Sequence, residues 1–176
     1  RRRVFEAVGG YRPVDGPEDY DLVLRIARAG PGLANVPDAH HGWRLGPHRL
    51  SERSERYAPE AFRRLKVAFL REEVPAGRPL VIRGAGRVGK AFARTWRAET
   101  GGEIPLRALV DLDPRKIGQT IHDAPVIAPP DLLSCGGSEG RPYTLAAVGS
   151  PGARGEIRRA LEAMGQAEID DFRAVA

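Results

Sequence analysis

Residues 79–89, Pro-Leu-Val-Ile-Arg-Gly-Ala-Gly-Arg-Val-Gly, decide how the C-terminal part of this chain folds. The apolar run at 80–82 is rich in β-branched residues, which is typical of a buried parallel strand. The glycines that follow fit the pattern G-x-G-x-x-G, and a helical pattern of apolar residues begins within them. In such a strand–turn–helix the first glycine allows the tight turn, the second lets a pyrophosphate approach the backbone, and the third lets the helix pack on the strand. The glycines are Gly84, Gly86 and Gly89, and the apolar helical residues are Val88, Phe92 and Trp96.

The next segment supplies the context that this motif requires. Leu106–Val110 has the composition of a second strand, and Asp111 follows it about twenty residues after the glycines, where a ribose-binding carboxylate is expected. The order therefore predicts a Rossmann-like half that binds a nucleotide through Gly84, Gly86, Gly89 and Asp111. The alternative is a domain of the same shape whose nucleotide site is empty or vestigial, because a fold does not fix a function.

The rest of the C-terminal part continues the alternation of strands and helices. Further strands are predicted at Ala124–Ile127, 143–148 and 172–175, which gives a five-stranded parallel sheet within an α/β domain at 76–176. A second glycine turn, residues 149–152, leads from a strand into a helix at the same carboxyl edge as the first turn. It is either a second nucleotide contact or a plain connection.

Composition and charge limit the classes of function. The chain has 176 residues, of which 41% are hydrophobic and 29% charged, and no apolar run is long enough to cross a bilayer. Its one cysteine, Cys135, excludes an internal disulfide and favours a cytoplasmic location. The net charge is +5, but residues 1–75 hold 14 basic and 11 acidic side chains and residues 76–176 hold 14 and 12. Because both signs are mixed throughout, we expect no nucleic-acid partner.

Residues 1–75 contain the other candidate site, an acidic cluster at 18–21 that opens a helical pattern. From the residues alone, carboxylates at a helix N-terminus are explained by the helix dipole. No metal site is predicted. His40, His41 and His48 lack a fourth ligand at a suitable spacing, and the Asp-x-Asp at 111–113 belongs to the second strand of the Rossmann pattern.

The order of motifs in this part resembles the C-terminal half of family-2 glycosyltransferases over about residues 4–55. The matching segments are Val-Gly-Gly-Tyr at 8–11, Glu-Asp-Tyr-Asp-Leu at 18–22, and Trp-Arg-Leu-Gly-Pro-His-Arg-Leu-Ser at 43–51. The resemblance implies a mainly helical partial domain in which Asp19 is the catalytic base, with Glu18 beside it. A nucleotide-sugar donor and a glycan acceptor are then the implied partners. The donor-binding half and its divalent metal would lie upstream of Arg1, so residues 1–176 alone are expected to be inactive.

Residues 110–118, Val-Asp-Leu-Asp-Pro-Arg-Lys-Ile-Gly, resemble the Rossmann-like domains attached to sugar-modifying enzymes. This resemblance implies NAD or a nucleotide-sugar as ligand. The leading hypothesis is therefore sugar transfer by a longer parent protein, with an accessory nucleotide-binding domain. Two alternatives stay open: an NAD-dependent oxidoreductase acting on a sugar nucleotide, and a non-enzymatic nucleotide-sensing module.

Overall fold

A computed structural model describes residues 2–30, 32–34, 37–38, 42, 46 and 53–175. The chain divides into two compact units, Arg1–Phe69 and Leu70–Ala176. The domain boundary predicted after residue 75 lies a few residues beyond this division. Within the described ranges, no helix is both long enough and apolar enough to pass through a bilayer.

The first unit is helical in the part that is described. It contains α1 (Arg2–Ala7), α2 (Glu18–Arg28), a 3₁₀ turn at Glu55–Tyr57 and the start of α3 (Pro59–Arg71). Helix α2 carries a buried carboxylate, Asp21, which is 4% exposed. Arg12 and Arg25 pair with it at 2.8 and 2.9 Å. Burial raises the pKa of Asp21, but the hydrogen bonds from these guanidinium groups outweigh burial and hold it below its ordinary value.

The second unit is an α/β domain whose elements are β1 (Leu80–Arg83), α4 (Arg87–Thr100), β2 (Leu106–Val110), β3 (Thr120–Ile121), β4 (Ala124–Ile127), β5 (Tyr143–Ala146), α5 (Ala153–Ala163) and β6 (Phe172–Ala174). The strands form one six-stranded sheet with the order β3-β4-β2-β1-β5-β6. Helix α4 follows β1, and helix α5 follows β5. All strand pairs are parallel except β3 with β4, which is antiparallel. The α/β class is confirmed, whereas the prediction of five strands, all parallel, is wrong by one edge strand.

The additional strand β3 forms because a two-residue turn at 122–123 brings β4 back alongside it. His122 and Asp123 have φ values of 48° and 56°. Positive φ at both central positions is what a tight hairpin turn requires, since it matches the twist of the flanking strands. Glycine or asparagine usually marks such a turn, and β3 is too short to show a period of two. Neither a turn motif nor an alternating pattern therefore marks this strand in the sequence.

Helices cover both faces of the central strand β1, which is buried along its whole length. Val81 packs in a cluster with Ile157 and Leu161 of α5. The neighbouring side chain, Ile82, points to the opposite face and lies 3.5 Å from where a Cβ on Gly89 of α4 would be. This two-sided burial explains why the strand is a continuous apolar run rather than an alternating one.

The strand order fixes where a ligand can bind. From β1 the chain moves outward through β2 and β4 on one side, and it later returns to β5 and β6 on the other side. The direction of winding therefore reverses between β1 and β5. In open sheets of this kind, ligands bind in the crevice outside the carboxyl ends of the strands at this switch point.

Candidate functional site

A cavity of about 690 Å³ opens at the carboxyl ends of β1, β2 and β5. Its volume lies in the range of sites that bind small molecules and cofactors. Both glycine turns of the second unit contribute to its wall, and so do the first residues of α4 and α5. The lining residues include Arg83, Gly84, Gly86, Arg87, Val88, Asp111, Leu112, Lys116, Pro129, Val148, Gly149, Ser150, Ala153, Glu156 and Ile157.

The three glycines of the first turn have different surroundings. A Cβ on Gly84, whose φ is 116°, would come within 2.7 Å of Cγ2 of Val148, and a Cβ on Gly89 would overlap the carbonyl oxygen of Gly84. A Cβ on Gly86 would meet nothing within 4 Å. Packing therefore requires Gly84 and Gly89, whereas Gly86 leaves the backbone open towards the cavity. That these glycines bind a ligand stays a prediction.

Helix α4 presents an uncapped N-terminus to the cavity. Gly86 is its N-cap residue, no side chain caps the helix, and its first turn contains no acidic residue. Arg87 and Val88 of that turn line the cavity. Unpaired N–H groups and the positive end of the helix dipole together favour an anion at this position.

Asp111 lies directly after β2 and is held against the glycine turn. Its Oδ2 accepts hydrogen bonds from the amide of Ala85 at 2.8 Å and from Nζ of Lys116 at 3.0 Å, and its Oδ1 accepts one from the amide of Asp113 at 3.0 Å. Burial raises the pKa of Asp111, but these three hydrogen bonds outweigh burial and keep it below its ordinary value. A carboxylate has about four acceptor positions, so about one remains for a ligand hydroxyl.

Arg83, the last residue of β1, also lines the cavity, and sequence reasoning did not identify it. It is 8% exposed, and its Nη1 is buried without a hydrogen-bond partner. Burial lowers the pKa of Arg83 from its ordinary value. The available signal was an arginine within an otherwise apolar strand, immediately before the first glycine.

The second glycine turn reaches the same cavity as the first. Gly149 and Ser150 are among its lining residues, and Ala153 and Glu156 of α5 follow them along the wall. The sequence left open whether this turn is a nucleotide contact or a plain connection. Its position at the cavity is what a contact requires.

Glu18 and Asp19 lie in the first unit, in the first turn of α2. The hydroxyl of Tyr57 donates to Glu18 at 2.9 Å, and the guanidinium of Arg56 lies 3.5 Å from the same carboxylate. The pKa of Glu18 is below its ordinary value mainly because its own backbone amide donates a hydrogen bond to the carboxylate. The hydrogen bond from Tyr57 lowers the pKa further. Asp19 accepts from the amide of Tyr20 at 2.8 Å. These contacts are explained by helix-end electrostatics and local ion pairing.

A metal centre has no support in the described part of the chain. Across residues 2–30 and 53–175 and the short described stretches between them, no three histidine, cysteine or acidic side chains are grouped as metal ligands. His40, His41 and His48 lie outside the described residues, as do Trp43 and most of the segment at 43–51.

Comparisons with known proteins yield structural similarity only. No protein-family model matches the chain, and no curated protein matches it. Among solved structures, it is similar to RSP, a Rex-family repressor, with 17% identity and a TM-score of 0.45 over 66% of this chain and 59% of that one. It is likewise similar to RSP in complex with β-NADH, with 18% identity and a TM-score of 0.45 over 66% of this chain and 61% of that one. The chain thus spans about 60% of the length of these structures.

These findings correct the interpretation of residues 4–55. The similar structures are Rex-family repressors and not glycosyltransferases, and no family model or curated protein supports the glycosyltransferase resemblance. The prediction of a glycosyltransferase fragment is therefore wrong, and so is sugar transfer as the leading function. The role of Asp19 as catalytic base, with Glu18 beside it, came from that resemblance. The contacts of both residues in the first turn of α2 give that role no separate support.

Proposed function

We propose that the second unit is a non-enzymatic module that binds and senses a nucleotide, with a dinucleotide such as NAD(H) as its ligand. One observation carries this proposal: the cavity at the switch point of the sheet brings together the open backbone of Gly86, the uncapped start of α4 and the carboxylate of Asp111. A diphosphate-linked ribose needs N–H groups that bind its anionic diphosphate, next to a carboxylate that accepts hydrogen bonds from its hydroxyls.

The expected position of the ligand follows from these groups. The diphosphate would lie over Gly86 and the N–H groups of the first turn of α4, where no side chain obstructs it. The adjoining ribose would approach the remaining acceptor position of Asp111. A 2′-phosphate at that ribose would face the same carboxylate, so NADP should bind more weakly than NAD. The Asp111–Lys116 ion pair reduces this difference without removing it.

The chemistry of the cavity wall favours binding over hydride transfer coupled to a proton. Its ionisable side chains in the described chain are Arg83, Arg87, Asp111, Lys116 and Glu156, and its lining includes no histidine, tyrosine or cysteine. Histidine is the side chain that most often serves as general acid or base in catalysis. A sensing module is therefore better supported than the oxidoreductase alternative.

Titration calorimetry of the full chain with NADH, NAD, NADP and a nucleotide-sugar tests the proposal. We expect NADH or NAD to bind, and Gly86→Val to weaken that binding at least tenfold, because the branched side chain would occupy the path of the diphosphate. The φ of −85° at Gly86 suits any residue, so circular dichroism should show an unchanged fold.

Gly155→Val is the matched control, because a Cβ at Gly155 also meets nothing within 4 Å and this residue is not among those lining the cavity. It should leave the affinity unchanged. Tighter binding of a nucleotide-sugar than of NADH would replace the dinucleotide as ligand. Binding of none of the four at millimolar concentration would contradict the proposal. Oxidation of NADH by the protein in the presence of a small carbonyl substrate would contradict its non-enzymatic character.

A further inference from the structure

The cavity contains a buried positive charge that the protein does not balance. Arg83 is 8% exposed, and its Nη1 has neither a hydrogen-bond partner nor contact with solvent. Among the described residues, no carboxylate forms an ion pair with this guanidinium. Glu156 lines the same cavity but is not paired with it. The cation Lys116, by contrast, is paired with Asp111 at 3.0 Å.

The position of Arg83 makes its lack of a partner costly. Side chains of a strand alternate between the two faces of a sheet, so Arg83 shares the face of Val81, which packs against α5. It is paired in register with Val110 on one side and Ala146 on the other, both apolar. Removing a guanidinium from water into such surroundings is unfavourable, and buried charges in proteins are normally paired. Arg83 lines the cavity, and an unpaired buried guanidinium beside a cavity indicates an acceptor that a ligand supplies.

The missing acceptor has a defined chemistry. A guanidinium presents a planar set of donors that matches the oxygens of a phosphate or carboxylate. In NAD(H), the ligand class of the proposed function, the diphosphate is the anionic group. We propose that Arg83 binds the diphosphate of the ligand from the α5 side of the cavity, opposite the glycine turn and the start of α4; this proposal rests on the proposed function.

The charges around the cavity agree with a dianionic ligand. Besides the Asp111–Lys116 pair, its wall carries the cations Arg83 and Arg87 and the carboxylate of Glu156. Arg87 is exposed at the first position of α4, where it adds to the positive end of the helix dipole. A diphosphate would therefore meet backbone N–H groups and one arginine on the α4 side, and a second arginine on the α5 side.

This role predicts effects of opposite sign on stability and on binding. Without ligand, Arg83 destabilises the folded unit, because its charge is buried and unpaired. With ligand, the same charge stabilises the complex. A methionine of similar length should therefore raise the stability of the unliganded protein while weakening its affinity for the diphosphate. An arginine with a purely structural role would show the opposite effect on stability.

The test measures thermal unfolding without ligand and calorimetric binding of inorganic pyrophosphate, on the full chain at one fixed ionic strength. For Arg83→Met we expect a Tm a few degrees above wild type. We also expect a loss of pyrophosphate affinity on the order of tenfold or more, since a charge-assisted contact is removed. Arg83→Lys retains the charge without the planar donors, so its affinity should be intermediate. Arg94→Met, which removes an exposed charge from α4 outside the cavity, should change neither quantity.

Three results would overturn the proposal: wild type that does not bind pyrophosphate, Arg83→Met that binds it as tightly as wild type, or an unliganded Tm that falls in both Arg83 variants. If Arg83→Met does not fold, the affinity of Arg83→Lys decides. A parallel NADH titration separates this proposal from the proposed function. Pyrophosphate binding that depends on Arg83 without any NADH binding would refute only the dinucleotide. NADH binding that is unaffected in Arg83→Met would refute only the role of Arg83.

Discussion

Asp111 holds the glycine turn through its hydrogen bonds, and the proposed function gives it a second role as a ribose-binding residue; its titration measures the first of these. Its carboxylate, 14% exposed, accepts hydrogen bonds from two backbone amides and from Lys116. Because the folded pKa is lower than the ordinary value, ionised Asp111 stabilises the fold at every pH above about 4. This contribution is lost as the pH falls through the lower, folded pKa.

We therefore expect Asp111→Asn to reduce the free energy of unfolding at neutral pH by about 1–3 kcal/mol. The difference from wild type should shrink as the pH is lowered below about 4, because wild-type Asp111 then becomes neutral as well. Urea unfolding over a pH series measures both quantities. Asp131→Asn, at an exposed position, is the control for loss of a surface carboxylate. A difference that stays constant down to the acid limit would show that the pairing of Asp111 is not what stabilises the fold.

At the scale of residues, the sequence was informative where local backbone geometry dictates the residue type. Positions 84 and 89 require glycine because a Cβ at either one would collide, with Val148 in the first case and with the backbone of Gly84 in the second. Such local constraints appear in the sequence as a fixed spacing of glycines. Arg83 was missed because its burial depends on the covering helix α5, which lies seventy residues further along the chain. The pairing of Lys116 with Asp111 was missed for a similar reason, since it depends on how the loop after β2 folds back.

Among the elements of the second unit, Arg78 connects the starts of three strands. It lies just before β1, and its guanidinium donates to the carbonyl oxygens of Arg141 and Pro142, at 2.9 and 3.0 Å, ahead of β5. Ahead of β6 it donates to the carbonyl oxygen of Asp170 at 2.9 Å and pairs with the carboxylate of Asp171 at 2.9 Å. One side chain thus joins its own segment to acceptors on two others that are far away in sequence.

Arg78→Met should lower the free energy of unfolding by about 2–4 kcal/mol, since several charge-assisted hydrogen bonds are lost and their acceptors are left unpaired. Urea unfolding measures this value, with Arg159→Met on the exposed side of α5 as the control. Because Arg78 lies at the amino ends of the strands and the cavity at their carboxyl ends, the affinity of the folded protein for the proposed dinucleotide should be unchanged. A loss of stability equal to that of the control would mean that water replaces these hydrogen bonds without cost.

The elements that the sequence predicted correctly are those with a strong pattern. Short, mainly apolar runs identified β1, β2 and β4 to within a residue of their bounds. Strand β3 was missed because its existence depends on the positive φ values of His122 and Asp123 and on pairing with β4, not on its own two residues. An edge strand of this length has no periodicity to detect.

At the scale of the whole molecule, the two units differ in how many independent structural observations support the function assigned to them. In the second unit, strand order, glycine geometry and cavity position agree with one another. In the first unit, the glycosyltransferase resemblance depended on the order of a few short motifs. Dipole and ion-pair effects explain why carboxylates such as Glu18 and Asp19 occupy the start of a helix, so their presence there carries little information about catalysis.

Two fragments of different length can show how much of the chain the second unit needs in order to fold. A fragment of residues 76–176 contains the complete sheet and both covering helices, so it should fold alone. It lacks Leu70 and Val74, which are 3% and 8% exposed, and Glu73, which pairs with Arg173 at 2.6 Å. A fragment of residues 70–176 should therefore be more stable, by about 2–4 kcal/mol, from the burial of these apolar side chains alone.

Urea unfolding followed by circular dichroism measures both free energies. Glu73→Gln in the longer fragment isolates the ion pair, and its effect should be smaller than that of the truncation. Equal stability of the two fragments would show that residues 70–75 do not stabilise the second unit. An unfolded longer fragment would show that the sheet cannot form without residues 1–69.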